Sequence, residues 1–417
     1  MAHNPLIPLD NSAIIYPPTA ARYNSHTFRL SVELTIEVVA ERLLTALEQT
    51  LELFPYFTVA LHPGFFWYYF APNTKEVNVY PEVAGPCRFF HPKKNANGYL
   101  FKVHYTKNRI ALEVFHALSD GSGGLRFLQA LVKEYLILSG VDLTRDATTG
   151  SITQEDAFEK FYTPLKSVFA LDPPAFHMKR SPYSDEVQAI SARIPISDIK
   201  KVASTYKVTI TEYIVSELIY ALQKIQERER SKRRYKPIKV SVPVNLRRLY
   251  PSDTLRNFTL FMVVGIDPRL GHYTMEEITT QVMHQLRSQL NQKYINRYIA
   301  RNRSGRSHVL IRYAPNWIKK PLMKLFSDIY GDNLYSTTMS NLGQLELDEI
   351  TSEYVQSADF YLSPSKTNKV SCAAVSVGEY MKLNFSSIYK EKVDLEREVL
   401  TSLVDKQIRV EISTNRR

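Results

Sequence analysis

The residues with the clearest chemical potential are His116, Asp120 and Gly121, which follow one another at close spacing. The ordinary pKa of histidine is about 6.5, so a neutral imidazole is able to accept a proton from an alcohol or an amine at neutral pH. Residues 109–115 alternate in hydrophobicity as a strand does, and His116 comes directly after them. Gly121 lets the backbone turn sharply. The pattern predicts a histidine that a strand end holds beside a cleft.

Each of these residues also has an ordinary structural explanation. The chain contains 10 histidines, and most histidines in proteins are simply solvated or hydrogen-bonded. Asp120 alone is best explained as the cap of a helix predicted at about residues 124–138. Only the whole combination is specific: a strand, then His116, Asp120 and Gly121, and then an amphipathic helix.

The elements around this segment mix hairpins with helices. Apolar residues every fourth position over 39–51 predict an amphipathic helix, and residues 99–105 and 109–115 predict a hairpin. The proline-rich residues 163–186 show little periodicity, as is typical of a crossover between domains. We therefore predict a first lobe at 1–170, a crossover at 171–187 and a second lobe at 188–417.

Strands and helices recur in the second lobe. Thr274 and Glu277 match a capping box in front of one of its helices. The further elements are predicted near residues 190–196, 238–244, 258–265, 370–377 and 381–387 as strands, and near 211–227, 275–290 and 393–404 as helices. Hairpins outnumber strand–helix alternations, so we expect an α/β fold of two sandwich lobes with mixed, largely antiparallel sheets flanked by helices.

Composition limits the function classes. The chain has 417 residues, more than one hydrophobic core usually serves, and a formal net charge of +11, which favours anionic partners. The densest basic run, residues 228–234, lies at a predicted helix end, where solvated cations are common. No zinc-finger spacing, basic heptad or aromatic RNA-binding signature accompanies it, so a nucleic-acid partner stays a minor alternative.

The sequence also suggests the compartment. Its two cysteines, Cys87 and Cys372, cannot build a disulfide framework. The first residues lack the basic start and apolar run of a secretory signal, and no apolar stretch approaches the roughly 20 residues that cross a bilayer. We therefore expect a cytoplasmic protein without a transmembrane segment.

Several other active sites are disfavoured. The sequence has no Gly-x-Ser-x-Gly elbow of a serine hydrolase, and no Lys-Ser or Lys-Thr follows residues 121–124 as a P-loop requires. His116 and Asp120 lie at helical spacing, but the sequence places no third ligand beside them, so no metal is expected. Cys372 lies in the apolar run 370–377 and is best explained as a core residue.

Taken together, the histidine segment resembles a known superfamily. His116, Asp120 and Gly121 match the histidine motif of the coenzyme A-dependent acyltransferases of the chloramphenicol acetyltransferase-like fold. That superfamily includes alcohol acetyltransferases, plant acyltransferases and the condensation domains of peptide synthetases. Residues 242–248, followed by Asn257, resemble its second-lobe strand, arginine and asparagine, and Arg247 is the best match for its structural arginine.

The sequence departs from two branches of this superfamily. The Asp-Phe-Gly-Trp-Gly segment of the plant members is absent, which argues against the plant branch. Phe115 replaces the first of two histidines in the peptide-synthetase condensation domains. A donor bound to a carrier protein is therefore less supported than free acyl-coenzyme A.

The resemblance implies a function. His116 would act as general base for a small hydroxyl or amine acceptor that attacks an acyl thioester, with both substrates bound together. Acyl-coenzyme A would be a co-substrate, and no cofactor would be permanently bound. Ser340 or Asn341, in a segment that resembles the tunnel lining, would face the oxyanion, or would instead have a turn or strand-end role. A non-catalytic binding or scaffold protein of the same fold, or a condensation-type enzyme, is the alternative.

Asp120, Gly121 and Arg247 are expected to be structural residues of the active site. On a loop closed by Gly121 the carboxylate of Asp120 is able to turn away from the imidazole, and Arg247 follows the predicted strand 238–244. We therefore predict that Asp120 pairs with Arg247 across the two lobes, because a guanidinium fork matches a carboxylate.

Overall fold

The computed structural model describes residues 6–82, 85–89, 91–145, 155–165, 172–307 and 314–416. Residues 166–171, which span the predicted end of the first lobe and the first residue of the predicted crossover, lie outside the described residues.

The described strands and helices cover most of the predicted elements. The strands are β1 (Ile7–Pro8), β2 (Thr27–Leu34), β3 (Val59–Pro63), β4 (Tyr68–Pro72), β5 (Val79–Pro81), β6 (Phe101–Tyr105), β7 (Arg109–Phe115), β8 (Tyr183–Pro195), β9 (Ile238–Asn245), β10 (Thr259–Ile266), β11 (Thr337–Gln344), β12 (Val355–Leu362), β13 (Val370–Val377), β14 (Tyr380–Tyr389) and β15 (Glu411–Thr414). The helices are α1 (Tyr16–Thr19), α2 (Ala40–Leu53), α3 (Pro92–Asn95), α4 (Gly121–Leu138), α5 (Ala157–Lys160), α6 (Ile196–Thr205), α7 (Ile210–Glu229), α8 (Met275–Gln289), α9 (Gln292–Ser307), α10 (Asn316–Tyr330), α11 (Glu349–Tyr354) and α12 (Asp394–Asp405).

The first lobe is built on a five-stranded sheet with the order β12-β2-β7-β6-β5. Helices α2 and α4 pack against each other, and α4 packs on β2 and β7. Phe115, the last residue of β7, lies opposite Thr27 in the antiparallel register of β2. The sheet therefore holds the backbone that leads into the next residue, His116.

Strand β12 joins the two halves of the chain. It lies late in the sequence, yet it pairs antiparallel with β2 along the edge of the first-lobe sheet, with Phe360 opposite Leu30. The side chain of Phe360 is buried, and its ring packs edge-on against Phe28 of β2. A segment from the second half of the chain thus completes the core beneath the histidine.

The second lobe is built on a seven-stranded sheet with the order β10-β9-β11-β13-β14-β8-β15. Strand β11 runs parallel to β9 and β13, whereas the other neighbours are antiparallel. Helices α8 and α12 pack on α7, which in turn packs on β9. The predicted α/β architecture of two lobes with mixed, largely antiparallel sheets and flanking helices is confirmed.

Individual elements follow the sequence closely where the pattern is clear. Strands β7 and β13 have the predicted bounds, and the capping box before α8 is confirmed, with Thr274 and Glu277 in reciprocal contact. Strand β2, strand β12 and helix α10 are among the elements that the sequence patterns did not predict. None of the described helices is long and apolar enough to cross a bilayer.

Candidate functional site

His116 lies at the wall of a large cavity between the two sheets. The cavity has a volume of about 990 Å³ and is lined by first-lobe residues that include His116 and Gly121 and by second-lobe residues that include Ser340 and Asn341. The backbone N–H of His116 donates to the carbonyl of His26, at 2.8 Å. The main chain of the histidine is thereby fixed, and its imidazole is free to extend into the cavity.

The imidazole of His116 is oriented by Asn257 and Asp10. Nδ1 of His116 lies 2.8 Å from Oδ1 of Asn257, and the amide nitrogen of Asn257 donates to Oδ2 of Asp10 at 3.1 Å. Since a carboxylate only accepts, the amide of Asn257 turns its oxygen to the histidine, and Nδ1 must carry the proton. This tautomer leaves the lone pair of His116 on Nε2, which has no hydrogen-bond partner among the described residues.

The electrostatics of this chain of groups keep His116 neutral. Burial lowers the pKa of His116, and the charge of Asp120 and the hydrogen bond to Asn257 oppose that shift only in part. Burial also raises the pKa of Asp10 to about 6, against the effects of Arg256 and Asn257. At neutral pH the imidazole is therefore neutral, with a proton on Nδ1 only, and Asp10 is largely ionised.

Aromatic rings hold the plane of the imidazole. Tyr16 of α1 stacks on His116 with ring centroids 4.7 Å apart, and Phe28 packs edge-on at 5.4 Å. Nε2 of His26 lies 2.8 Å from the hydroxyl of Thr19, and burial lowers the pKa of His26 to about 3. His26 also lines the cavity, so it presents a second neutral imidazole there.

Both carboxylate oxygens of Asp120 accept hydrogen bonds, and none of the described ones comes from His116. Oδ1 accepts from the backbone of Gly123 at 3.0 Å and so caps α4. Oδ2 accepts from Arg247 Nη1 at 2.8 Å, from the backbone of Phe258 at 2.8 Å and from the hydroxyl of Thr259 at 3.0 Å. The two interpretations of Asp120, helix cap and partner of Arg247, are thus both present, one on each oxygen. Although burial disfavours its charge, Arg247 and the backbone donors hold the pKa of Asp120 below its ordinary value.

Arg247 connects this carboxylate to the chain that follows. Its guanidinium donates to the carbonyls of Thr254 and Arg256, at 3.0 and 2.6 Å, as well as to Asp120. The hydroxyl of Ser119 donates to the carbonyl of Leu255 at 2.6 Å. Hydrogen bonds from Ser119 and Arg247 therefore fix the backbone of the segment 254–259, which includes Asn257.

The glycines that follow His116 allow residues of the second lobe to approach the start of α4 closely. Gly121, Gly123 and Gly124 are not among the residues with positive φ, so the turn at this point does not use a left-handed backbone conformation. A Cβ on Gly123 would lie 2.5 Å from the carbonyl oxygen of Leu255, and one on Gly121 would lie 3.1 Å from Leu342 Cδ2. Both glycines let a second-lobe backbone or side chain pack directly on the start of α4.

Ser340 and Asn341 lie on β11 and line the cavity from the second lobe. The amide of Asn341 donates to the hydroxyl of Thr211 at 2.9 Å, and its oxygen accepts from the backbone of Gly343 at 2.8 Å. This arrangement gives Asn341 a structural role at the strand end. Ser340 also lines the cavity, and none of the described hydrogen bonds engages its hydroxyl. Ser340 is thus the freer of the two polar groups.

Four residues of the site were given no role from the sequence. The resemblance matched Asn257, but its contact with His116 depends on a turn that only the folded chain shows. Asp10, Tyr16 and His26 lie in the first part of the chain, where no motif marks them. Within the described part of the chain, no group of three or more His, Cys, Asp and Glu residues is placed to hold a metal ion.

The first test of the site concerns the Asp120–Arg247 pair. Asp120→Ala and Arg247→Ala should each lower the free energy of unfolding by about 3 to 5 kcal/mol, because each leaves an uncompensated buried charge. The double variant should lose much less than the sum, as measured by a denaturant double-mutant cycle. The partly exposed pair of Arg228 and Glu398 is the control and should show coupling of only about 0 to 1 kcal/mol. Additive losses at Asp120 and Arg247 would contradict the pairing.

A second test concerns the tautomer of His116. Nitrogen NMR should find the proton on Nδ1 and a pKa below 6.5, so that the imidazolium forms only as the pH falls below that value. Asn257→Ala should remove the fixed tautomer, because Nδ1 loses its acceptor. The signals of exposed His284 should not change in this variant. A proton on Nε2 in the unaltered chain would refute the orientation by Asn257.

The chain is similar in structure, but not detectably in sequence, to known proteins. No protein-family model and no curated protein sequence matches the chain. Solved structures resemble it over nearly its full length. The trichothecene 15-O-acetyltransferase TRI3 from Fusarium sporotrichioides has a TM-score of 0.61 at 11% identity, covering 95% of this chain and 93% of its own. TRI101 of F. graminearum, complexed with coenzyme A and deoxynivalenol, has a TM-score of 0.64 at 10% identity, covering 97% and 99%.

A condensation domain is similar to a comparable degree. The starter condensation domain of rhizomide synthetase RzmA, a mutant form in complex with C8-CoA, has a TM-score of 0.59 at 12% identity and covers 95% of this chain and 94% of its own. At identities this low the similarity establishes the architecture. The chain therefore has the two-lobed chloramphenicol acetyltransferase-like fold of these acyltransferases and condensation domains, as its histidine motif predicted.

Proposed function

We propose that the chain is an acyltransferase that moves an acyl group from acyl-coenzyme A to a small hydroxyl or amine acceptor. The observation that carries the proposal is the imidazole of His116, whose Nδ1 is tied to Asn257 and whose Nε2 is left for the cavity. A neutral histidine in this tautomer is a competent general base. The structural neighbours TRI101 and RzmA are complexed with coenzyme A and C8-CoA, respectively.

The reaction needs one proton to move twice. Nε2 of His116 takes the proton of the acceptor as its oxygen or nitrogen attacks the thioester carbonyl. The resulting oxyanion then collapses, the carbon–sulfur bond breaks, and the imidazolium returns the proton to the thiolate. A thioester is already activated, so positioning and general-base action suffice without an acyl-enzyme. Burial keeps His116 neutral before the reaction, and the charge of Asp120 favours the imidazolium during it.

Two further residues complete the proposed site. The hydroxyl of Ser340 is the candidate donor to the oxyanion, since Asn341 is engaged with Thr211 and Gly343. Arg248 lines the cavity with an exposed side chain. Its guanidinium is the candidate partner for a phosphate of coenzyme A, because charge-assisted hydrogen bonds to phosphate suit arginine.

The alternative functions make different predictions for the same assay. A non-catalytic binding protein of this fold would bind coenzyme A without releasing thiol in the presence of an acceptor. A condensation-type enzyme would transfer an acyl group from a carrier protein and not from free acyl-coenzyme A. A thiol-release screen of acetyl and longer acyl-coenzyme A donors against alcohols, amines and sugars therefore separates the three functions.

The catalytic role of His116 is tested by His116→Ala. We expect acyl transfer to fall on the order of 100-fold or more, with the circular dichroism spectrum and thermal midpoint preserved, because the variant removes only the base. The control is His284→Ala, which removes an exposed histidine of α8 outside the cavity lining. Transfer by His116→Ala at the unaltered rate would overturn the mechanism.

The binding of coenzyme A is tested by calorimetry. Affinity should weaken as salt is raised, because exposed cations that contact phosphates are screened. Arg248→Ala should weaken binding about two- to fivefold at low salt, as the loss of an exposed ion pair does. Arg228→Ala, which removes an exposed arginine outside the cavity lining, should have no effect. Absence of coenzyme A binding at low salt would remove acyl-coenzyme A as the donor.

A further inference from the structure

Four apolar side chains of helix α10 face solvent. Trp317 is 74% exposed, Leu325 is 55%, Leu322 is 48% and Ile318 is 38%. At 3.6 residues per turn these four side chains, with exposed Pro321 among them, lie within an arc of about 140°. A surface helix of a globular domain normally directs such an arc into the core.

The orientation of α10 is fixed by contacts on its other side. Lys319 is only 3% exposed, and its Nζ donates to the carbonyl of Phe66 at 2.8 Å. The same Nζ lies 3.3 Å from the centre of the Trp67 ring. The chain therefore buries a lysine beneath this helix and exposes a tryptophan, which is the reverse of ordinary amphipathic packing.

The tip of the β3–β4 hairpin extends the same surface. Phe65 is 70% exposed and Phe66 is 40% exposed. The carbonyl of Phe65 accepts from the backbone N–H of Asn316 at 2.8 Å, so the hairpin tip and the start of α10 are in direct contact. We call the six exposed side chains the apolar patch: Phe65, Phe66, Trp317, Ile318, Leu322 and Leu325.

We propose that the apolar patch docks on the surface of a membrane that contains anionic lipids. Helices that lie in a membrane interface combine Trp, Phe and Leu on one side with lysines beside them, and clustered exposed apolar side chains mark an interaction surface. Lys320 is exposed next to Trp317 on α10. The whole chain carries a formal charge of +11, which anionic headgroups complement. The patch would insert to interfacial depth without any helix crossing the bilayer.

The position of the patch also relates it to the cavity. Helix α10 packs on α1, whose Tyr16 stacks on His116. The chain then continues from α10 into Gly331 and Asp332, which line the cavity. A docked chain would hold the cavity wall close to the lipid, and a substrate that partitions into membranes would reach the cavity from there. This last consequence rests on the proposed acyl transfer, whereas the docking itself does not.

Docking is tested directly with the full-length chain and vesicles. The chain should sediment with vesicles of phosphatidylcholine containing about one part in four of phosphatidylglycerol, and far less with phosphatidylcholine alone. In a Trp67→Phe background, Trp317 is the remaining tryptophan, since the chain contains two. Its emission should shift to shorter wavelength on adding the anionic vesicles, because the indole leaves water.

Matched double variants separate the patch from general hydrophobicity. Leu322→Glu with Leu325→Glu should lower the vesicle partition coefficient at least about tenfold, because two inserted side chains become charged. Leu270→Glu with Val404→Glu adds the same charge at side chains that are 81% and 54% exposed elsewhere, and this control should retain most of the binding. The circular dichroism spectrum and the thermal midpoint should be unchanged in both variants, which shows that each is folded.

Three results would overturn the docking proposal. The first is failure of the unaltered chain to bind either vesicle. The second is equal loss of binding in the patch and control variants, which would indicate a nonspecific charge effect. The third is a dimer in size-exclusion chromatography that only the patch variant dissociates, which would assign the patch to a second copy of the chain. Failure of the thiol-release assay would leave vesicle binding unaffected, so the two proposals are tested separately.

Discussion

The buried carboxylate of Asp120 is the interaction on which the rest of the site depends. A lone carboxylate at 1% exposure would be very costly, and four donors compensate it: the backbone of Gly123, Arg247, the backbone of Phe258 and the hydroxyl of Thr259. These donors belong to the start of α4, the turn that follows β9, and the residues at the start of β10. One charge therefore fixes three elements from two lobes, and through them the position of the cavity wall.

The orientation of His116 is a consequence of that constraint. Asn257 lies directly before Phe258, whose backbone Asp120 binds, so the amide that contacts Nδ1 is placed by the same carboxylate. Asp10 then settles which way the amide turns. Asp120 thus fixes the backbone at Phe258, whereas Asn257 and Asp10 together select the tautomer of His116. Neither carboxylate hydrogen-bonds to the imidazole in the described structure, and burial keeps the histidine neutral against the charge of Asp120.

The surface of α10 differs from the cavity wall in which side chains it exposes to water. Around the cavity, buried charges are compensated by fixed donors and acceptors, whereas on α10 several apolar side chains face water. The contacts of Lys319 with Phe66 and Trp67 explain this orientation of α10, because they hold the side of the helix that carries the lysine against the hairpin. Helix α10 also packs on α1, whose Tyr16 stacks on His116, so direct packing contacts link the apolar patch to the candidate site.

The sequence by itself determined the two-lobed α/β architecture, strands β7 and β13, the capping box of α8 and the spacing that marks His116 and Asp120. These features depend on local patterns, which a single sequence displays. It also suggested Arg247 as the partner of Asp120, because a strand end and a loop were expected to face each other. Only the tertiary structure decided that β12 completes the first sheet, that Asp120 is both cap and ion-pair partner, and that Asp10 and His26 belong to the site. Such contacts join residues far apart in the chain, as Asp10 and Asn257 are at 247 positions, and their pairing depends on chain topology that no local pattern records.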